Sequence, residues 1–360
     1  MMNLISNQSS GGWSRLLTPT DALRFSRPIT SNSTTYGPVR LCMSVVLLGS
    51  ILGTISACSG TTRVPNVSPP RITVLNAGQE SRYLLKYTLT RLRQRMEVSI
   101  KIRTDTTVTN TVLETGTQSL DFPTLKVILA VDVTPRVATD MVDVAASVED
   151  ATVLDDALDA ELRDRMRQYV SGAKGWRTRW RMTSSGATSD LAIEAPANMP
   201  QSFSQDLSNV ANSLAANVAM FPDVPIGNGA RWQVVTQTAF SGVIWNKTTE
   251  YTITQLTSSD ALVLEADSVL HARPGALKVE PNATTRLVSG RSSSRSELRL
   301  SGHSPVPTTA TTQTSTETTI LAVRGRLRIT ATTVTQVLST IRPVSTGQDA
   351  RTPEPVNKTP

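Results

Sequence analysis

Apolar and polar residues alternate in long runs through the middle of this 360-residue chain. Met96, Val98, Ile100 and Ile102 interleave with Arg95, Glu97, Ser99, Lys101 and Arg103. Successive side chains of a strand point to opposite faces, so such a run buries one face and wets the other. A helix cannot do this with the same residues, because its faces repeat every 3.6 positions. Tyr83, Leu85, Tyr87 and Leu89 alternate with Arg82, Lys86 and Thr88, and Leu125, Val127, Leu129, Val131 and Val133 form a third run. Tyr251 with Ile253, Leu262 with Leu264, Leu298 with Leu300, and Leu327 with Ile329 continue the pattern. One wet face and one dry face is the signature of antiparallel sheet. Thr308–Thr319 has the β-branched composition of a strand but no apolar face, which places it at a sheet edge or in a long hairpin.

Two segments break the period. In Asp155–Val170 the acids Asp155, Asp156, Asp159 and Glu161 precede Arg163, Arg165 and Arg167, an order that complements a helix dipole. Leu154, Leu158, Leu162, Met166 and Tyr169 form a stripe, and Gly172 follows as a stop. A second helix is predicted over Phe203–Ala219, with Ser202 and Gln205 as a capping box. Its stripe is Phe203, Leu207, Val210, Leu214 and Val218, and Pro222 ends it. The fold class is therefore mainly β (α+β): a long curved antiparallel sheet, or two β-meanders, with two packed amphipathic helices over 155–170 and 203–219.

The N-terminal region speaks to compartment. Leu41–Ile55 is an apolar run preceded by Arg40. It is shorter than the roughly 20 residues needed to span a bilayer as a helix, and it matches a signal-peptide h-region. It runs into Ile55, Ser56, Ala57 and Cys58. A branched residue, two small residues and a cysteine resemble the lipobox of bacterial lipoproteins. That resemblance implies cleavage before Cys58, acylation of its thiol, and a membrane partner held through that lipid. Ser59 after the cysteine points to the outer membrane. Forty residues precede the h-region, so translation is expected to begin near Val39 or Met43. Ser59–Pro70 is small, polar and Pro-rich, an extended tether in composition. The expected organisation is 1–57 as extension and signal peptide, 58–80 as lipidated cysteine and tether, 81–342 as the β-rich domain, and 343–360 as a disordered tail.

Charge and cysteine content narrow the partners. The formal net charge is +7. Residues 1–57 carry Arg15, Arg24, Arg27 and Arg40 against Asp21, a net of +3, so the processed chain retains +4. Its Arg residues are scattered and aromatics are only 4%, which argues against nucleic acid as a partner. Cys42 leaves with the signal and Cys58 would be acylated, so no disulfide or Cys-based metal site is expected.

Phe221-Pro222-Asp223-Val224-Pro225-Ile226-Gly227-Asn228-Gly229-Ala230-Arg231-Trp232 follows directly on the second predicted helix. The order of helix, Phe-Pro…Pro…Gly…Trp and β-meander resembles an uncharacterised family of bacterial envelope lipoproteins. The resemblance covers residues 80–340 in outline. It implies a secreted, mostly antiparallel β protein and brings no reaction with it. Read physically, Pro222 and Pro225 stiffen the approach, Gly227 and Gly229 permit a tight turn, and Trp232 caps the core where a strand begins.

Residues suited to catalysis are sparse. The chain has two histidines, His271 at a strand end and His303 in a turn, neither with a partner at metal-ligand spacing. No metal, cofactor or catalytic residue is assigned. Asp155-Asp156 and Glu149-Asp150 read as helix-start charges. Trp176 and Trp180 alternate with Arg177, Arg179 and Arg181, which reads as core tryptophans backed by solvated arginines. The leading functional expectation is a non-catalytic module that holds an apolar or amphiphilic envelope molecule in a concavity. The alternatives are an assembly protein that binds another envelope protein through Thr-rich edge strands, and a hydrolase built on His271 or His303.

Overall fold

In a computed structural model of the chain, the described residues are 69–110, 115–136, 139–154, 164, 167–168, 170–196, 218–240, 243–258, 261–280, 283–301, 304, 306–324 and 327–344. Fourteen strands form one antiparallel sheet: β1 (Arg71–Asn76), β2 (Leu92–Asn110), β3 (Gly116–Asp121), β4 (Thr124–Pro135), β5 (Met141–Leu154), β6 (Arg177–Thr183), β7 (Thr188–Glu194), β8 (Arg231–Phe240), β9 (Val243–Ser258), β10 (Ala261–Ala272), β11 (Gly275–Glu280), β12 (Ala283–Ser301), β13 (Thr309–Arg324) and β14 (Leu327–Pro343). Their spatial order is β1-β8-β9-β10-β12-β13-β14-β2-β4-β5-β6-β7.

The arrangement is close to symmetric about the β13–β14 hairpin. β12 and β2 flank that hairpin, and each has 19 residues, a length of about 60 Å. Each then divides its outer edge between two shorter partners. β2 pairs with β4 over Leu92–Ile100 and with β3 over Arg103–Val108. β12 pairs with β10 from His271↔Arg291 onward and with β11 around Gly275↔Leu287. The two breaks fall at Pro123 and Pro274, residues with no N–H to give to a ladder. Beyond them two wings run outward, β10-β9-β8-β1 on one side and β4-β5-β6-β7 on the other.

The same face of both wings is buried, and it forms one apolar cluster. Leu264, Ile253 and Trp232 of one wing and Leu129, Val144 and Trp180 of the other belong to it. The wings therefore curl towards each other over one end of the long strands. Leu85 and Tyr87 join them: the Tyr87 N–H donates to the Ser184 carbonyl in the β6–β7 turn, and the Phe221 N–H donates to Ser185. Bulges that curve the sheet lie at Leu287/Ser289, Ile128/Leu129 and Val263/Leu264.

Several expectations are corrected. Tyr83–Leu89 is not a strand. Leu85 and Tyr87 are buried in alternation, but only Tyr83 makes a bridge, to Ile226. The sheet begins at Arg71, inside the stretch read as tether, because Ile72 and Val74 lie against the core beside β8. Of the two places expected for the Thr-rich run, it takes the long hairpin, as β13 paired to β14, and that hairpin lies at the centre of the sheet and not at an edge. Its hydroxyls bond across strands, Ser296 with Thr312 at 3.0 Å and Ser292 with Thr316 at 2.8 Å, so a face with few apolar side chains is still satisfied. The two packed helices are not part of the described sheet fold. Of 155–170, only Asp164, Arg167, Gln168 and Val170 are described, in helical geometry that continues to Ser171, and 203–217 lies outside the described residues. Cys58, Ile55, Ser56, Ala57 and His303 also lie outside them, as does the tail beyond Val344.

Candidate functional site

The motif around Trp232 is built into the core. Trp232 is fully buried at the start of β8. Its indole N–H donates to the Met220 carbonyl at 2.7 Å. Its ring stacks on Tyr251 with centroids 5.2 Å apart, and Phe221 sits between Trp232 and Tyr87 at 6.2 and 5.2 Å. The Tyr87 hydroxyl donates to the Ala219 carbonyl at 3.2 Å. Burial pushes both tyrosine phenols well above their ordinary pKa, so neither serves as a proton donor near neutrality. Pro222 is buried and Pro225 exposed, while Gly227 packs against backbone. These residues hold two elements together and line no open site. A cleft beside them, against Leu85, Phe221, Leu262 and Leu300, has no interior room for even a water molecule and is not a ligand pocket.

The two sheet faces differ in chemistry. The outer face carries cross-strand ion pairs: Arg95–Glu149 at 2.7 Å, Arg295–Glu265 at 3.1 Å, Arg179–Glu194 at 3.0 Å, and Arg231–Glu250. Glu97 lies between Lys126 and Arg342, both at 2.5 Å. The Lys126 hydrogen bond, helped by Arg342 and opposed by burial, holds the Glu97 carboxyl below its ordinary pKa. This contribution to stability is present above about pH 4.5, the unfolded value, and is lost as pH falls through the lower folded value.

The inner face is apolar where the wings meet and hydroxyl-lined along the long strands. Following the ladders from β9, one transverse row reads Lys247, Leu270, Ser292, Thr316, Thr335 and Thr104. The buried hydroxyls meet in pairs, Thr249 with Ser268 at 2.9 Å, Thr106 with Thr333 at 3.3 Å and Thr104 with Thr335 at 3.4 Å. A second, smaller apolar cluster lies on the other side of this band: Val243, Trp245, Leu277 and Leu287, with Leu270 and Ile320 against it.

Alternation also brings a charged side chain, Lys247, onto the inner face, between Trp245 and Thr249 on β9. Burial lowers its pKa to about 8. Trp245 lies across the strands with its ring edge over Gly290, where a Cβ would come within 2.9 Å of the ring. Its indole nitrogen is buried without a hydrogen-bond partner. The sequence reading passed over Lys247, although Val243, Trp245, Lys247, Thr249, Tyr251 and Ile253 form one alternating set.

The other residues singled out by sequence sit as follows. Trp176 and Trp180 are core residues, 0% and 2% exposed, and Arg177 and Arg179 face solvent. His271 is exposed on the outer face of β10 between Asn246 and Arg291, neither of which is a nucleophile or a carboxylate. Among the described residues no group of three His, Cys, Asp or Glu side chains converges, and no helix is long and apolar enough to cross a membrane. Neither a scan against protein-family models nor a search of curated proteins returns a match.

Proposed function

We propose that this is a lipid-anchored protein of the bacterial cell envelope, non-catalytic, that holds an apolar or amphiphilic envelope molecule against the inner face of its sheet. The anchor is the acyl group on Cys58, cut free by recognition of Ile55, Ser56 and Ala57, with the outer membrane as its destination. The observation that carries the binding role is the segregation of the sheet. Ion pairs occupy the outer face, while the inner face presents two apolar clusters separated by a hydroxyl band. The reading resembles lipid carriers in shape alone.

A second reading, assembly with another envelope protein, now rests on the sheet's terminal strands. β7 is guarded by a bulge between Arg179 and Arg181 and by the Arg181–Asp190 pair at 2.9 Å, features that discourage strand addition. β1 is paired to β8 along one side and is the better edge for a partner strand.

The anchoring half of the proposal is tested by Cys58→Ser. The expected result is loss of acylation and a shift of the protein from the membrane fraction to the soluble fraction after processing is bypassed with a cleavable signal. Unchanged sedimentation with membranes would contradict it.

A further inference from the structure

We infer that the outer face at the far end of the long strands, away from the joined wings, rests on an anionic bilayer, with Arg273, Arg286, Arg291 and Arg328 on lipid phosphates. This rests on the reading that Cys58 is acylated, and it names the surface that such an anchor brings to the membrane.

Register places these arginines on one face. Arg291 on β12 lies between His271 on β10 and Glu317 on β13. The Arg273 N–H donates to the Ile244 carbonyl at 2.9 Å, so Arg273 continues the β10 ladder past His271. Arg286 lies across the β12 bulge, between Ala276 and Leu321. Arg328, near the start of β14, is opposite Val323. All four are exposed, and none forms an ion pair with a described residue. Arginines nearer the wings differ: Arg231, Arg295 and Arg342 each have a carboxylate partner. Acids at the far end are few. Glu317 stands opposite Arg291, and Asp105 and Asp121 share Arg103. With Arg71 and Arg103 included, six arginines face these three acids, a net of +3. Lys278 and Glu280 of β11 cancel in formal charge.

A guanidinium without a carboxylate is matched in charge and shape by a phosphate. Exposed aliphatic side chains stand among these cations. Ile244, 42% exposed, is beside Arg273, and Val288, 37% exposed, is at the bulge between Arg286 and Arg291. Arginine with aliphatic neighbours suits the boundary between head groups and acyl chains. A soluble polyanion would satisfy the charge and leave Ile244 and Val288 in water.

The path of the chain agrees. β1 runs from Arg71, near Val235, to Asn76, near Arg231. The chain therefore enters β1 from the side of Phe240 and Val243, which close the β8–β9 hairpin at the far end. Residues 59–70 separate Cys58 from Arg71, at most about 40 Å of chain. An acyl group and a basic patch act together at a bilayer. Each cation near an anionic leaflet raises partition by about fivefold.

The test uses the acylated full chain in vesicles of phosphatidylcholine, alone or mixed equally with phosphatidylglycerol. Ser289→Cys and Thr311→Cys, in separate samples, carry a fluorophore at opposite ends of the outer face. The readout is quenching by a lipid spin-labelled on its head group. In mixed vesicles the Ser289 label is expected to be quenched several-fold more than the Thr311 label. In phosphatidylcholine alone the two should match. Salt at 1 M, where the screening length is about 3 Å, should remove the difference while the protein stays on the vesicles. Combining Arg273→Gln, Arg286→Gln, Arg291→Gln and Arg328→Gln should do the same. Equal quenching in mixed vesicles, or quenching at Ser289 indifferent to lipid charge, overturns the bilayer surface and leaves the anchor standing. Release from the vesicles in 1 M salt, after selective quenching at Ser289 in low salt, overturns the anchor and leaves the surface standing. A Ser289 label already shielded from aqueous iodide in detergent, without vesicles, assigns the face to a second copy of the chain and overturns the proposal.

Discussion

Trp232→Ala is expected to destabilise the fold by about 3–5 kcal/mol, the range for truncating a large buried aromatic residue. The side chain is fully buried, stacks on Tyr251 at 5.2 Å and reaches Phe221 at 6.2 Å. Through Phe221 and Tyr87 it connects β8 to the β6–β7 turn, so the cavity would open where the two wings are joined. Trp232→Phe separates the contributions. It keeps most of the ring and removes the N–H donated to Met220 at 2.7 Å, for an expected loss of about 1–2 kcal/mol. Denaturant melts of the two variants beside the parent give both figures. Equal and small losses would mean that Trp232 does not hold the wings together.

The second large effect is at Gly227. A Cβ built there falls 1.9 Å from the Gln79 carbonyl oxygen. The Gly227 N–H is fixed to the Ala77 carbonyl at 2.8 Å, and the Gln79 N–H donates to Asn228. The obstructing atom is backbone, held on both sides by hydrogen bonds, so it cannot rotate away. Gly227→Ala is expected to cost about 3 kcal/mol or more. Gly229, two residues on, provides the contrast. Its φ is +75° and a Cβ there meets nothing within 4 Å. Gly229→Ala should cost only the conformational penalty of about 1–2 kcal/mol. One glycine of the turn is needed for space and the other for its dihedral angle. Thermal unfolding of the pair should rank them in that order, and the reverse order would show the contact between 77–79 and 227–228 to be dispensable.

These two effects assign the Phe-Pro…Pro…Gly…Trp segment to structure, as its residue types suggest when read for packing. Much of the sheet was legible for the same reason. β2, β4, β9, β10 and β14 have dry faces of their own, and alternation within one strand reveals them. β13 has few apolar side chains, and on its inner face Ala310, Ile320 and Ala322 are interrupted by threonines. Its place in the middle of the sheet depends on hydroxyls supplied by β12 and β14, which no reading of a single segment detects. Tyr83–Leu89 shows the opposite case. Burial alternates, yet Tyr87 bonds to the Ser184 turn and Tyr83 to Ile226, so the period arises from loops and not from a ladder. β1 was hidden by the prolines before it, although Ile72 and Val74 alternate. Lys247 was legible in principle. Extending the Tyr251 and Ile253 alternation back to Val243 places a lysine on the inner face, where a cation is uncommon.

Occupation of the inner face by an envelope amphiphile is tested most directly by native mass spectrometry of the protein taken from its own membranes, without added ligand. The expected spectrum shows an acylated N-terminal Cys58 and, on the same molecules, a further mass released as a small apolar or amphiphilic molecule on unfolding. A folded protein that carries no small molecule, and takes up none from its own lipid extract, would contradict the binding role.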